Sequence, residues 1–266
     1  MKSKVELYSG TYKNYADEVY ANIRVQTYGE DIGQNSWITA EEYRHFFAVL
    51  GLAPNENVLE LATGSGGPAV FMVKETGVNL VGIDSNENGV ANATRLATEN
   101  ALNDKLNFRL GDASEPLPFE DECFDVVMTI DSINHFKNRG KVLAEIKRVL
   151  KPGGRLLYTD PVVVTGIVTN EELAIRSSIG YFLFVPVGEN EKLLSEAGFT
   201  HIQCEDVTEN IATTSKNWFD ARENWKDELL KIETEDTFHG LQAFARVVHL
   251  LTSEKRLSRF MFTAIK

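Results

Sequence analysis

From Asn57 onward the chain alternates short apolar runs with longer amphipathic stretches, and this alternation constrains its fold more than any other feature. The runs Asn57 to Ala62, Asn79 to Ile83, Leu106 to Leu110, Phe124 to Ile130 and Arg155 to Thr159 have the length and composition of buried strands. Helical periodicity covers Gly67 to Glu75, Asn86 to Asn100 and Asn138 to Leu150, the last closed by Lys151-Pro152-Gly153-Gly154, which predicts a helix stop and a chain reversal. Strand, helix and strand in succession require crossover connections, hence a parallel sheet. A further helix, Glu189 to Ala197, precedes a strand at His201 to Val207, and a last strand runs from Leu257 to Ile265. The expectation is one α/β domain, a Rossmann-like, doubly wound sheet of seven strands.

Three segments fall outside this plan. They divide residues 1–266 into an N-terminal cap (1–52), a ligand-binding core (53–160) and two lids (161–188 and 208–253). The second lid carries two amphipathic helices, with Trp218, Phe219, Trp225, Leu229 and Leu230 on one and Phe238, Leu241, Phe244, Val247 and Val248 on the other.

Composition removes several function classes. With 27 Lys and Arg against 39 Asp and Glu, the net charge is −12, a field that repels phosphate backbones and anionic membranes, so no nucleic acid and no membrane partner is expected. Cys123 and Cys204 stand far apart with no CxxC spacing, which predicts neither a disulfide framework nor a metal site and fits a reducing cytoplasm. The polar N-terminus lacks the apolar run of a signal peptide.

The chemistry concentrates at strand ends. Val58-Leu59-Glu60-Leu61-Ala62-Thr63-Gly64-Ser65-Gly66-Gly67 is an apolar strand turning through glycines into a helix. Such a turn lets a ligand approach backbone closely, beside the free N–H groups of a helix N-terminus. Asp84 closes the next strand, followed by Ser85, where a carboxylate can accept both hydroxyls of a ribose. Asp112, after the third strand, can accept from the exocyclic amine of a purine. In an open parallel sheet these tips face one crevice, so they converge on one nucleoside. The turn lacks GxGxxG spacing, which disfavours a nicotinamide or flavin dinucleotide. Past the fourth strand, Asp131 and His135 fall on the same side. His135 is the candidate base, since histidine exchanges a proton near neutral pH, with Asp131 or Asp160 as the carboxylate that orients it.

With the turn, Asp84, Asp112, Phe124-Asp125-Val126-Val127 and Leu150-Lys151-Pro152-Gly153-Gly154, residues 55–160 resemble the class I S-adenosylmethionine-dependent methyltransferases. The resemblance implies a seven-stranded sheet with a reversed last strand and helical caps. Glu60 takes the family's acid position and Ala62 the place of its first glycine. The implied cofactor contacts are Ala62, Gly64 and Gly66 to the methionine part, Asp84 and Ser85 to the ribose, and Asp112 to the adenine between Ala113 and Ile130, with S-adenosylhomocysteine as product. Asn14-Tyr15-Ala16-Asp17-Glu18 and Tyr28-Gly29-Glu30-Asp31-Ile32 are similar to segments of small-molecule N-methyltransferases of the phosphoethanolamine and sarcosine/dimethylglycine type. That likeness places Tyr15, with its neighbour Tyr12 as the alternative, against His135 and Gln34 near the cofactor carboxylate, and implies a small-molecule methyl acceptor and a monomer or homodimer.

Pro161-Val162-Val163-Val164-Thr165-Gly166 lacks tyrosines and basic residues for a phosphate, which predicts a less charged acceptor. Tyr181, Phe182, Phe184 and Trp37 are candidate pocket aromatics, and Arg176 a candidate partner for an acceptor carboxylate. An amine nitrogen is the favoured methyl acceptor and a phenol or hydroxyl the alternative. A cofactor-binding subunit without catalysis and an enzyme acting on a protein are the readings from other classes.

Overall fold

Residues 5 and 7–266 are described by a computed structural model. An eight-stranded sheet is built from β1 (Asn57–Leu61), β2 (Asn79–Asp84), β3 (Leu106–Leu110), β4 (Phe124–Thr129), β5 (Leu150–Val164), β6 (Val185–Pro186), β7 (Thr200–Asp206) and β8 (Leu257–Ile265). Seven strands, the number the sequence predicts, follow the order β3-β2-β1-β4-β5-β8-β7, and the last, β8, runs antiparallel to both its neighbours as expected. The eighth, β6, pairs with the end of β5 through Val163 and Val164. Strand order reverses between β1 and β4, and the crevice at a reversal of this kind is where open α/β sheets bind ligands.

The helices are α1 (Tyr8–Lys13), α2 (Glu18–Tyr28), α3 (Ala40–Leu50), α4 (Gly67–Thr76), α5 (Glu87–Glu99), α6 (Arg139–Val149), α7 (Asn170–Arg176), α8 (Glu189–Glu196), α9 (Thr208–Asn224), α10 (Lys226–Leu229) and α11 (Glu235–Ser253). Alternation along β1 divides the core between the two faces of the sheet. Val58 packs with Tyr43, Phe46 and Phe47 of α3 and Met72 and Val73 of α4, while Leu59 and Leu61 pack with Val142, Leu143 and Ile146 of α6. The long helices α9 and α11 pack on the N-terminal cap, Ile211, Leu241 and Val248 against Trp37, and Ala221 and Phe238 against Ile23 of α2.

Two expectations change. The segment from Pro161 to Val164 is not lid but sheet, because β5 continues to Val164 and its buried run of valines is covered on both faces, as in a central parallel strand. At the start of the same strand, Leu150 pairs with Phe124 and Arg155 with Val126, so Lys151 to Gly154 bulge out between them. Gly153 turns there with φ of 74°, and Pro152 needs no ladder partner for a missing N–H. The predicted reversal is thus a bulge within β5.

Candidate active site

β1 delivers the chain into the glycine turn, and the carboxylate of Asp84 holds that turn in shape. Asp84 Oδ2 accepts from the N–H of Gly64 at 2.8 Å and Oδ1 from the N–H of Asn86 at 2.8 Å. One side chain therefore fixes both the β1–α4 and the β2–α5 connections. Burial raises its pKa, opposed by these backbone hydrogen bonds. Glu60 lies beside it, fully satisfied, with Tyr43 donating to Oε1 at 3.1 Å and Thr63 donating to Oε2 at 2.6 Å. Desolvation pushes Glu60 up to about 7, opposed by these two hydrogen bonds.

The turn's glycines divide the work. A Cβ on Gly64 would meet the hydroxyl of Tyr12 at 3.1 Å, so Gly64 faces the cavity. A Cβ on Gly66 would lie 2.5 Å from the Cβ of Ala93; its role is the close packing of α5, and it is absent from the cavity wall. A Cβ on Gly67 would strike the carbonyl of Ile32 at 2.3 Å and the backbone of Gly33, which places the N-terminal cap directly on the turn. Ala62 adopts φ of 57°, the left-handed region, which costs a non-glycine residue about 1 kcal/mol. Ala62→Gly is expected to preserve cofactor affinity and raise unfolding free energy by up to about 1 kcal/mol in denaturant titration; a destabilised variant would show that the methyl group packs usefully.

A cavity of about 420 Å³ extends from this turn to the ends of β4 and β5. Gln34, Glu60, Ala62, Gly64, Asp84, Ser85, Ile130, Asp131 and His135 line it, so nine of the expected site residues share one wall. Gln34 is buried, accepting from the N–H of Ile32 and donating to the carbonyl of Glu30. Tyr15, Gly66, Asp112 and Ala113 are not on the wall. Asp112 stands exposed at the end of β3, where Oδ1 accepts from the N–H of Ser114.

His135 closes a single 3₁₀ turn, Ile133–His135, after β4. Its Nδ1 lies 2.7 Å from the carbonyl oxygen of Tyr181, an acceptor only, so Nδ1 carries the proton and Nε2 is a bare lone pair. The hydroxyl of Tyr8 sits 3.0 Å from Nε2 and donates to it. Burial depresses the pKa of His135, aided by the charge of Arg176 and opposed by the hydrogen bond to Tyr181, which keeps the ring unprotonated at neutral pH.

Tyr8, not Tyr15, is therefore the tyrosine against His135. The hydroxyl of Tyr15 points instead to the carbonyl of Gly33 at 3.4 Å, under the guanidinium of Arg24. Neither carboxylate expected to orient His135 does so. Asp131 accepts from Arg259 and Thr159 through Oδ1 and from the N–H of Trp37 through Oδ2. Asp160 pairs with Arg139 at 2.7 Å, both buried, and with Asn190. That second network acts on the histidine at a distance: Arg139 also donates to the carbonyl of Leu183, whose N–H bonds the carbonyl of Asn134. Sequence reasoning missed Tyr8 and Asn134, and no local motif marks either. Of the expected aromatics, Trp37, Tyr181 and Phe182 reach the cavity wall and Phe184 does not.

Gly64 at the turn, a buried carboxylate at the end of β2 and an elongated cavity fit a nucleoside with a charged tail, and the histidine end leaves room for a second reactant. Fold and site together define an α/β enzyme that works on a bound nucleoside cofactor and a small second substrate. Residues 52–237 match the family model described as a methyltransferase domain, and the chain belongs to that family. It is 29% identical over 221 residues to 27-O-demethylrifamycin SV methyltransferase of Amycolatopsis mediterranei, covering 79% of this chain and 80% of that enzyme. It is 28% identical over 226 residues to phosphoethanolamine N-methyltransferase 1 of Zea mays, covering 83% of this chain but 44% of the maize enzyme. The structure of Haemonchus contortus phosphoethanolamine N-methyltransferase 2, in complex with phosphomonomethylethanolamine and S-adenosylhomocysteine, superposes with a TM-score of 0.81 at 21% identity, covering 97% of this chain and 59% of that one.

Proposed function

We propose that this S-adenosylmethionine-dependent methyltransferase acts on a small molecule at an amine nitrogen. The observation that carries the reading is the lone pair of His135 Nε2, fixed by the Tyr181 carbonyl and facing an aromatic-walled cavity. When bound, S-adenosylmethionine supplies a methyl group already activated on sulfur, leaving as S-adenosylhomocysteine. Asp84 and Ser85 hold the ribose, the Gly64 turn and Gln34 the amino-acid part, Ile130 a face of the adenine, and Asp112 and Ala113 its outer edge. His135 Nε2 takes the proton that the nitrogen must lose, and Tyr8 orients that ring and yields its place to the acceptor. The walls of Trp37, Phe182, Trp218 and Phe244 exclude water from the reacting atoms.

The likeness to an O-methyltransferase over four-fifths of both chains favours a second reading, a phenol or hydroxyl acceptor deprotonated by the same histidine. Transfer of labelled methyl from S-adenosylmethionine to a panel of amines, amino acids, phenols and carboxylates separates them. Label on amines is expected; label confined to phenols or hydroxyls would replace the amine by the second reading. No label, with S-adenosylhomocysteine binding intact, would overturn both.

A further inference from the structure

Three arginines line the cavity, and two are neutralised: Arg24 by Asp31 at 2.9 Å and Arg222 by Glu233. The third, Arg176 at the end of α7, is 1% exposed and makes no ion pair among the described residues. Its Nη2 has no hydrogen-bond partner among them. Phe182 and Phe244 hold the guanidinium between them, 4.7 and 5.2 Å from their ring centroids. The ring of Phe182 lies 4.6 Å from that of His135, so Arg176 stands one aromatic ring away from the base. Asn134, fully buried on the same wall, leaves both its side-chain Oδ1 and Nδ2 without partners.

The carboxylates whose charge reaches Arg176, Asp131 and Asp160, are held by Arg259 and Arg139, and burial lowers the pKa of Arg176 to about 10. A stacked, preformed fork of donors is suited to a planar anion. Among the described residues the wall holds this one unpaired guanidinium and no lysine, which matches a monoanion and not a phosphate dianion. We infer that Arg176 forms a carboxylate subsite, and that the methyl acceptor is a carboxylate-bearing amine with an aromatic or apolar body. This rests on the amine reading above for the reacting atom, but the anion subsite stands independently of it.

The test uses the enzyme saturated with S-adenosylhomocysteine and titrates phenylacetate, phenylacetamide and phenyl phosphate by calorimetry. Phenylacetate is expected to bind at least about tenfold tighter than phenylacetamide, the gain of a charge-assisted hydrogen bond. In Arg176→Met the gap closes, in Arg176→Lys part of it returns, and the thermal midpoint of Arg176→Met is unchanged or higher because a lone buried charge is gone. Equal binding of acid and amide, no binding of phenylacetate, a gap that survives in Arg176→Met, or tighter binding of phenyl phosphate each overturns the subsite. Labelled-methyl transfer to phenylalanine and phenethylamine then separates the two readings. Phenylalanine is expected to show the lower KM, and Arg176→Met to raise it alone. Methylation of hydroxyls only, with the acid–amide gap intact, removes the amine reading and leaves the subsite. Methylation of both amines with equal KM removes the subsite and leaves the amine.

Discussion

Asp84→Ala is expected to reduce affinity for S-adenosylhomocysteine by about a hundredfold or more in calorimetric titration. Two contributions act together. The carboxylate is the acceptor offered to a ribose at the end of β2, and a charged hydrogen bond contributes about 1.5–3 kcal/mol. It also holds the N–H groups of Gly64 and Asn86, each at 2.8 Å, so alanine releases the turn that shapes the other half of the cofactor site. Unfolding free energy should fall by roughly 1–3 kcal/mol for the donors left buried without partners. Asp84→Asn keeps one acceptor oxygen and should land between. Unchanged cofactor affinity in the alanine variant would remove the ribose from this site.

His135→Ala has the second large effect, on rate instead of binding. General-base catalysis contributes roughly 10²–10⁴-fold, and kcat should fall by that factor while S-adenosylhomocysteine affinity stays as in the unaltered enzyme. The pH profile gives the sign. Desolvation lowers the folded pKa of His135 below its ordinary value of 6.5, so the ring is neutral at pH 7. Activity that needs a neutral base is retained at neutral pH and falls as pH drops through that lowered pKa; the acidic limb of the kcat profile should vanish in the alanine variant. Tyr8→Phe removes a donor to Nε2 but not the base, and should lower kcat less than His135→Ala does. Wild-type turnover in His135→Ala would move the base elsewhere on the wall.

Much of this site was readable from residue order because its parts sit at strand ends. A short apolar run, a glycine turn and the acid closing the next run are local in sequence, and right-handed crossovers carry them to one crevice. Asp84, Gly64 and His135 were found this way. Tyr8 was not, because which of three nearby tyrosines meets a histidine 127 residues away depends on where α1 comes to rest. The same holds for Asp131: its apparent availability beside His135 disappears once Arg259, 128 residues on, brings β8 against it. The continuation of β5 was hidden in a valine run that reads equally as buried strand or apolar loop, and its pairing with β8 and β6, distant in sequence, decides.

That contact of β8 reaches further than the site. Arg259 is completely buried between Asp131 and Glu42 of α3, and Tyr43 on the same helix holds Glu60 of the glycine strand. Without the first 52 residues the guanidinium buried on β8 would keep one of its two carboxylates, and the cavity wall would lose the phenol of Tyr43. The cap, although laid out in sequence as an appendage, thus carries part of the electrical neutrality of the sheet. Swapping caps between relatives to change acceptor choice is a substitution inside the core, and a graft must bring its own acid to face the arginine of the last strand.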